Sequence, residues 1–151
     1  MPKAKKNKAV PRTLAVSRVE FLAEEGYRPE YEPDADDDQF GVISFKCEGS
    51  CVLMFIYEDD PDYFNLGMGF DLGEGYLDPA ALASVAGGVN ADSKGVKCTL
   101  ALQERAVRFQ AESFLCDAKP SGALLRRSIA AMRHGAALFF EKRVPSQHLD
   151  A

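Results

Sequence analysis

The chain is poor in the residues that most often do chemistry. It has two histidines, His134 and His148. His134 falls on the polar side of a helical pattern beside Arg133, with no carboxylate neighbour to orient it, and reads as a surface residue rather than a general base. His148 lies in a terminal tail. No Gly-x-Ser-x-Gly elbow, phosphate loop or dinucleotide fingerprint occurs. Gly67-Met68-Gly69-Phe70 is the alternation of a strand, not a phosphate cradle. There is also no apolar run near the ~20 residues that a membrane-spanning helix needs. The start is basic but lacks the apolar core and cleavage site of a secretory signal. The expected compartment is therefore the cytoplasm, where thiols stay reduced.

Two weak metal patterns are present, and neither completes a site. Of the four cysteines, only Cys47 and Cys51 have the spacing of a zinc knuckle, across a short hairpin. Cys98 and Cys116 belong to another hairpin and are expected to point differently, so all four read as strand thiols. A Cys47–Cys51 disulfide is sterically feasible only under oxidising conditions. Asp34, Asp36 and Asp38 imitate the start of a calcium loop, but the sixth position is Gln39 and the twelfth is Phe45. This acidic run, and the one at residues 58–62, read as soluble turns. The expectation is a chain that is not an enzyme and has no catalytic residue, no cofactor and no metal.

What is present is an ordinary globular composition. The 151 residues are 46% apolar and 27% charged. One domain of this length buries roughly 68–70% of its unfolded surface and stands without metal or disulfide. The net charge of −5 is uneven, because Lys3, Lys5, Lys6, Lys8 and Arg12 fall in the first dozen residues with no acid among them. Residues 1–12 read as a basic disordered tail, residues 13–144 as one α+β domain, and residues 145–151 as a C-terminal tail. Nucleic-acid binding by the basic tail is a distant alternative to plain solvation.

The order of elements follows from periodicity. Ser17 and Glu20 have the spacing of a capping box, with Val16 and Phe21 as a hydrophobic staple, although the helix can also begin at Thr13. Val19, Leu22 and Ala23 supply its inner stripe, and Gly26 stops it. An edge strand at residues 28–34 carries two prolines. Residues 40–47 and 51–57 form a hairpin around Glu48-Gly49-Ser50. Phe64, Leu66, Met68, Phe70 and Leu72 alternate with smaller or polar residues, which predicts burial of Leu66, Met68 and Phe70. Asp78-Pro79 opens a second helix with Leu82, Val85, Ala86 and Val89 inside. Its Gly87-Gly88 pair is expected to allow close approach to the sheet. Val96, Cys98, Leu100 and Leu102 alternate again, and then Val107, Phe109, Ala111, Ser113 and Leu115. The last helix turns Leu125, Ile129, Met132, Ala136 and Phe139 or Phe140 inward, with Arg126, Arg127, Arg133 and His134 outward. The order is α-β-β-β-β-α-β-β-α, and the short links make the sheet mostly antiparallel.

That order, together with three local sequences, resembles the YbjN family of bacterial proteins, over about residues 19–142. The first is a helix ending in a Gly-Tyr step, Phe21-Leu22-Ala23-Glu24-Glu25-Gly26-Tyr27. The second is a strand running into an acidic turn, Val52-Leu53-Met54-Phe55-Ile56-Tyr57-Glu58-Asp59-Asp60. The third is a helix ending in asparagine before a Lys-Val-type strand, Val89-Asn90-Ala91-Asp92-Ser93-Lys94-Gly95-Val96-Lys97-Cys98. The chain departs from the family at Ala86-Gly87-Gly88-Val89, where bulkier residues are usual. The resemblance implies the fold of class I type III secretion chaperones and a binding, chaperone-like or regulatory role. It implies no reaction and no catalytic residues.

The middle strands point to where binding happens. Val52, Met54 and Ile56 face one way, and Leu53, Phe55 and Tyr57 the other, so both faces are apolar. Ile43 and Phe45 of the neighbouring strand add to this surface. A helix, a second copy of the chain or another protein must cover the second face. The expected function is a protein-binding module using Leu53, Phe55, Tyr57, Ile43 and Phe45, rimmed by the acidic turns, with another protein or a homodimer as partner and no membrane. The alternative is a small-ligand or metal-binding domain, with an enzyme as its extreme.

Overall fold

The computed structural model describes residues 12–73 and 78–143. The basic run at 3–8, the tail at 145–151 and its Pro145 and His148 lie outside the described residues. The element order is α1 (Thr13–Glu24), β1 (Glu30–Pro33), β2 (Phe40–Cys47), β3 (Ser50–Tyr57), β4 (Tyr63–Asp71), α2 (Pro79–Asp92), β5 (Lys97–Ala101), β6 (Ala106–Phe114) and α3 (Gly122–Arg143). The six strands form one sheet in the order β1-β2-β3-β4-β6-β5. Every pairing is antiparallel. This is an α+β fold with three helices, in the order the periodicities predict.

The helices start and stop for local reasons. α1 begins at Thr13, so Ser17 is exposed inside the helix and no capping box forms; Val16, 57% exposed, staples nothing. The cap comes instead from Glu58, whose carboxylate accepts the Leu14 N–H at 2.8 Å and the Ala15 N–H at 3.0 Å. These are orphan donors at the positive end of the helix, where a carboxylate is favoured. At the other end Gly26, at φ +92°, lets its own N–H bond Ala23 O and the Tyr27 N–H bond Leu22 O, each at 3.0 Å. That is a Schellman stop. Asp78 caps α2 by accepting the Ala80 N–H at 3.0 Å, with Pro79 in the first turn. Ser121 Oγ does the same for α3 through Leu124 N–H.

The strand register sorts side chains into two faces. Gly41, Ile43 and Phe45 of β2 are in register with Ile56, Met54 and Val52 of β3. Leu66 and Met68 of β4 follow, then Ala111, Phe109 and Val107 of β6 and Cys98 of β5. All of these are buried. α1 packs on β1, β2 and β3, α3 on β4 and β6, and α2 on β5 and α3. Phe139 meets Phe109 edge-on at 6.0 Å between ring centres, and Phe140 meets Phe70 at 5.7 Å. The core therefore lies between this face and the helices.

Local expectations fared unevenly. Leu66 and Met68 are buried as their alternation predicts, but Phe70 is half-buried, while Asn65 is buried on the opposite face. Leu102 leaves the alternation for a 3-10 turn (Leu102–Glu104) and is exposed. The α2 glycines do not serve close approach to the sheet. A Cβ on Gly87 would meet open space, and one on Gly88 would meet Lys142 of α3.

Asn90, near the end of α2, closes the sheet edge. Its amide donates to Cys98 O at 3.0 Å and accepts from Cys98 N–H at 2.6 Å. β5 is an edge strand, so this side chain occupies backbone groups that would otherwise invite another strand. It also gives the asparagine at this point of the chain a physical reason.

Candidate functional site

Among the described residues, no helix lies on the other face of the sheet. The register places Phe40, Val42, Ser44 and Lys46 of β2 there, beside Tyr57, Phe55, Leu53 and Cys51 of β3. Asn65 and Gly67 of β4 sit beside Phe55 and Leu53, and Glu112 and Gln110 of β6 come next. Leu53, Phe55 and Tyr57 thus occupy the face that the alternation of β3 predicts. Ile43 and Phe45 do not join them. They point into the core, 0% and 2% exposed, and no partner can touch them without unfolding the domain. The physical reason is their parity in β2, which matches Met54 and Val52 rather than Leu53 and Phe55.

The sequence did not reveal how the aromatic side chains line up. Phe40, Tyr57, Tyr63 and Phe114 come from β2, β3, β4 and β6 and form one row across the strands. Successive ring centres are 5.2, 5.4 and 5.7 Å apart. Phe55 stands in the next register position and stacks on Phe40 at 6.4 Å and 11° between planes. These distances are those of favourable aromatic pairs. Three of the row are half-buried by one another, and Phe114, at the end, is 80% exposed. Phe40 opens a strand that the periodicity predicts, whereas Tyr63 and Phe114 fall outside the alternating positions of their strands. Only strand order brings them together.

Beside the row, a groove of about 380 Å³ is bounded by Leu53 and Phe55 on one side and by Thr99, Arg108 and Gln110 on the other. Gly67 and Gly69 floor it. A Cβ at Gly67 would lie 2.8 Å from the Phe55 ring, so this glycine is what lets the ring lie flat on the sheet. Arg108 is ion-paired with Glu104, and Lys97 with Glu112 at 3.8 Å.

The end of the sheet that carries the row is held by a buried cation. Arg18 of α1 is 2% exposed and donates to Pro61 O at 2.9 Å and to Ala118 O at 3.1 Å. Burial lowers its pKa from the usual guanidinium value. It ties together turn 58–62 and the loop after β6, where Asp117 and Ala118 both have positive φ. Tyr63 sits in the same region. Burial first, and then a hydrogen bond and charge from Glu112, push its phenol up to about 12.

The cysteines do not converge. Cys47 is in register with Ser50 and Cys51 with Lys46, so the two thiols point to opposite faces and are not opposite each other across the hairpin. Cys98 is in the core, where burial pushes its thiol up to about 11, and Cys116 is exposed. Among the described residues no three His, Cys, Asp or Glu side chains gather as a metal site would require. Asp34 and Asp37 use carboxylate oxygens to accept backbone N–H groups within their own turn. His134 is exposed on α3. No helix among the described residues is long and apolar enough to cross a membrane.

No protein-family model and no curated protein matches the chain. Among solved structures, it is similar to the crystal structure of an uncharacterized protein from Methanothermobacter thermautotrophicus. The TM-score is 0.62 at 13% identity, covering 85% of this chain and 94% of the other. At that identity the likeness is one of fold.

Proposed function

We propose that this chain is a non-enzymatic protein-binding module, chaperone-like or regulatory, that docks another protein on the helix-free face of its sheet. The observation that carries the reading is the aromatic row beside Leu53 and Phe55, which no helix among the described residues covers. Contiguous apolar surface left uncovered marks interaction sites, and this one is half-exposed along the row and 80% exposed at Phe114; aromatic side chains also carry a large share of interface energy. On this reading the chain belongs with the YbjN-type proteins of the cytoplasm, and its partner surface is Leu53, Phe55 and Tyr57 together with Phe40, Tyr63 and Phe114. Ile43 and Phe45 serve the core.

The test pairs a half-buried aromatic of the open face with its most exposed one. Phe114→Ser and Phe55→Asp chains are compared with wild type by circular dichroism, sedimentation velocity and quantitative pull-down. The expected result is retained fold, with loss of self-association or of a captured protein in both variants. A folded Phe114→Ser chain with every association intact overturns the reading. If Phe55→Asp alone unfolds, Phe55 belongs to the core and leaves the surface.

A second reading has one observation behind it: the groove of about 380 Å³ is within the size range of small-ligand sites. Its polar lining is Thr99, Arg108 and Gln110. A small apolar anion that binds wild type and not Arg108→Ala would favour it.

A further inference from the structure

The aromatic row lies at the end of the sheet that carries the two aspartate-rich turns. We infer that the occupant of the open face is a lysine- or arginine-rich segment of a partner protein, seated across the row with its cations against the two aspartate-rich turns. This rests on the docking-face reading above and adds the chemistry of the partner.

Three features of that end converge. The first is the row itself. It crosses four adjacent strands, a span of about 14 Å at ~4.8 Å between strands. The negative faces of aromatic rings attract ammonium and guanidinium groups. The second is its border. Turn 34–38 lies beside Phe40, and turn 58–62 lies between Tyr57 and Tyr63. The aspartates of both turns are exposed and take part in no ion pair among the described residues. Glu58, the one glutamate of these turns, is instead spent on the start of α1. The third is Asn65, on the same face in register with Phe55 and Glu112. It is 3% exposed, and its Oδ1 has no hydrogen-bond partner among the described residues. A buried oxygen without a donor is unfavourable, and a partner rich in N–H groups supplies what it lacks.

The cations already present fit this division. Arg18 is buried and bonded to backbone carbonyls. Arg12 is seated at the edge of the row, donating to Phe40 O at 2.6 Å and Tyr31 OH at 3.0 Å, so the chain itself places a guanidinium there. On the other half of the face Lys97 and Arg108 are already paired, and Lys46 stands exposed at the end of the sheet away from the row. A second copy of this chain is a poorer fit, because its face would bring the same aspartate-rich turns.

The experiment uses the full chain and fluorescent peptides of about ten residues, long enough to cross the row at ~3.3 Å per residue. One alternates arginine with leucine, one glutamate with leucine, and one serine with leucine. Binding is read by anisotropy at low and high salt, for wild type, Phe114→Ser and a triple Asp36→Asn, Asp59→Asn, Asp60→Asn chain. All of these substitutions are at exposed positions. The arginine peptide is expected to bind wild type best and to weaken as salt rises. It should weaken roughly fivefold in Phe114→Ser, the scale of one exposed cation–π contact, and severalfold in the triple variant. Equal binding of the serine or glutamate peptide overturns the basic-partner inference and leaves the docking face standing. So does a wild-type homodimer that Phe114→Ser dissolves and that no peptide competes with. Arginine-peptide binding unchanged in Phe114→Ser overturns both.

Discussion

Replacing Glu58 by alanine separates the start of α1 from the turn that caps it. Two backbone donors, Leu14 N–H and Ala15 N–H, lose a carboxylate at 2.8 and 3.0 Å. An N-terminal cap contributes about 1 kcal/mol, and a negative charge at that end of the helix about 0.3–1 kcal/mol more. Both donors are partly reachable by water, so the full cost of an unsatisfied buried group does not apply. The expected loss is about 1.5–2 kcal/mol for Glu58→Ala. Glu58→Gln keeps an acceptor and loses the charge, and should cost about half as much. Urea unfolding followed by circular dichroism measures this. With a slope of roughly 1–3 kcal/mol per molar urea, the midpoint should fall by about 1 M. Ser17→Ala is the control: Ser17 is exposed within the helix, so its loss should stay within ~0.5 kcal/mol. A capping box at Ser17 predicts the reverse ranking. If Ser17→Ala costs about 1 kcal/mol and Glu58→Ala less than that, the account of this helix start is wrong.

Arg18, Gly67 and Cys98 carry the further expected outcomes. Arg18→Ala should destabilise by about 3 kcal/mol in the same urea assay, because it strips two carbonyls of a charged donor in a buried site; a loss under ~1 kcal/mol refutes the clamp. Gly67→Ala should leave the domain folded but push the Phe55 ring off the sheet, weakening capture on the open face while costing about 1–2 kcal/mol; an unchanged Phe55 ring environment by NMR contradicts this. Cys98 should resist thiol-labelling reagents in the native state while Cys51 and Cys116 react quickly. Because burial raises its pKa, the folded chain keeps a proton that the unfolded chain releases from about pH 8.5 upward. Stability should therefore decline as pH rises through about 9 to 11, by on the order of 2 kcal/mol, and Cys98→Ala should remove that part of the decline. A slope identical in the variant would show that other groups carry it.

Periodicity was enough for the architecture because burial imposes it residue by residue. Val52, Met54 and Ile56 must alternate with Leu53, Phe55 and Tyr57 in any strand, so both faces of β3 were legible before the fold was. Gly26, Asp78 and Pro79 act through their own backbone or within two residues, and their roles needed no tertiary context. The chain by itself therefore determined the order of elements, the antiparallel sheet and the apolar second face. Only the tertiary structure decided which residues share that face. The parity of β2 against β3 sent Ile43 and Phe45 to the core, and the β4-β6 pairing put Phe114 beside Tyr63. Glu58 caps a helix 44 residues away, Arg18 clamps a carbonyl 100 residues away, and Asn90 closes an edge strand. Such contacts depend on strand order and packing, which local spacing does not encode, and those of Glu58 and Arg18 build the end of the sheet where the aromatic row meets the aspartates.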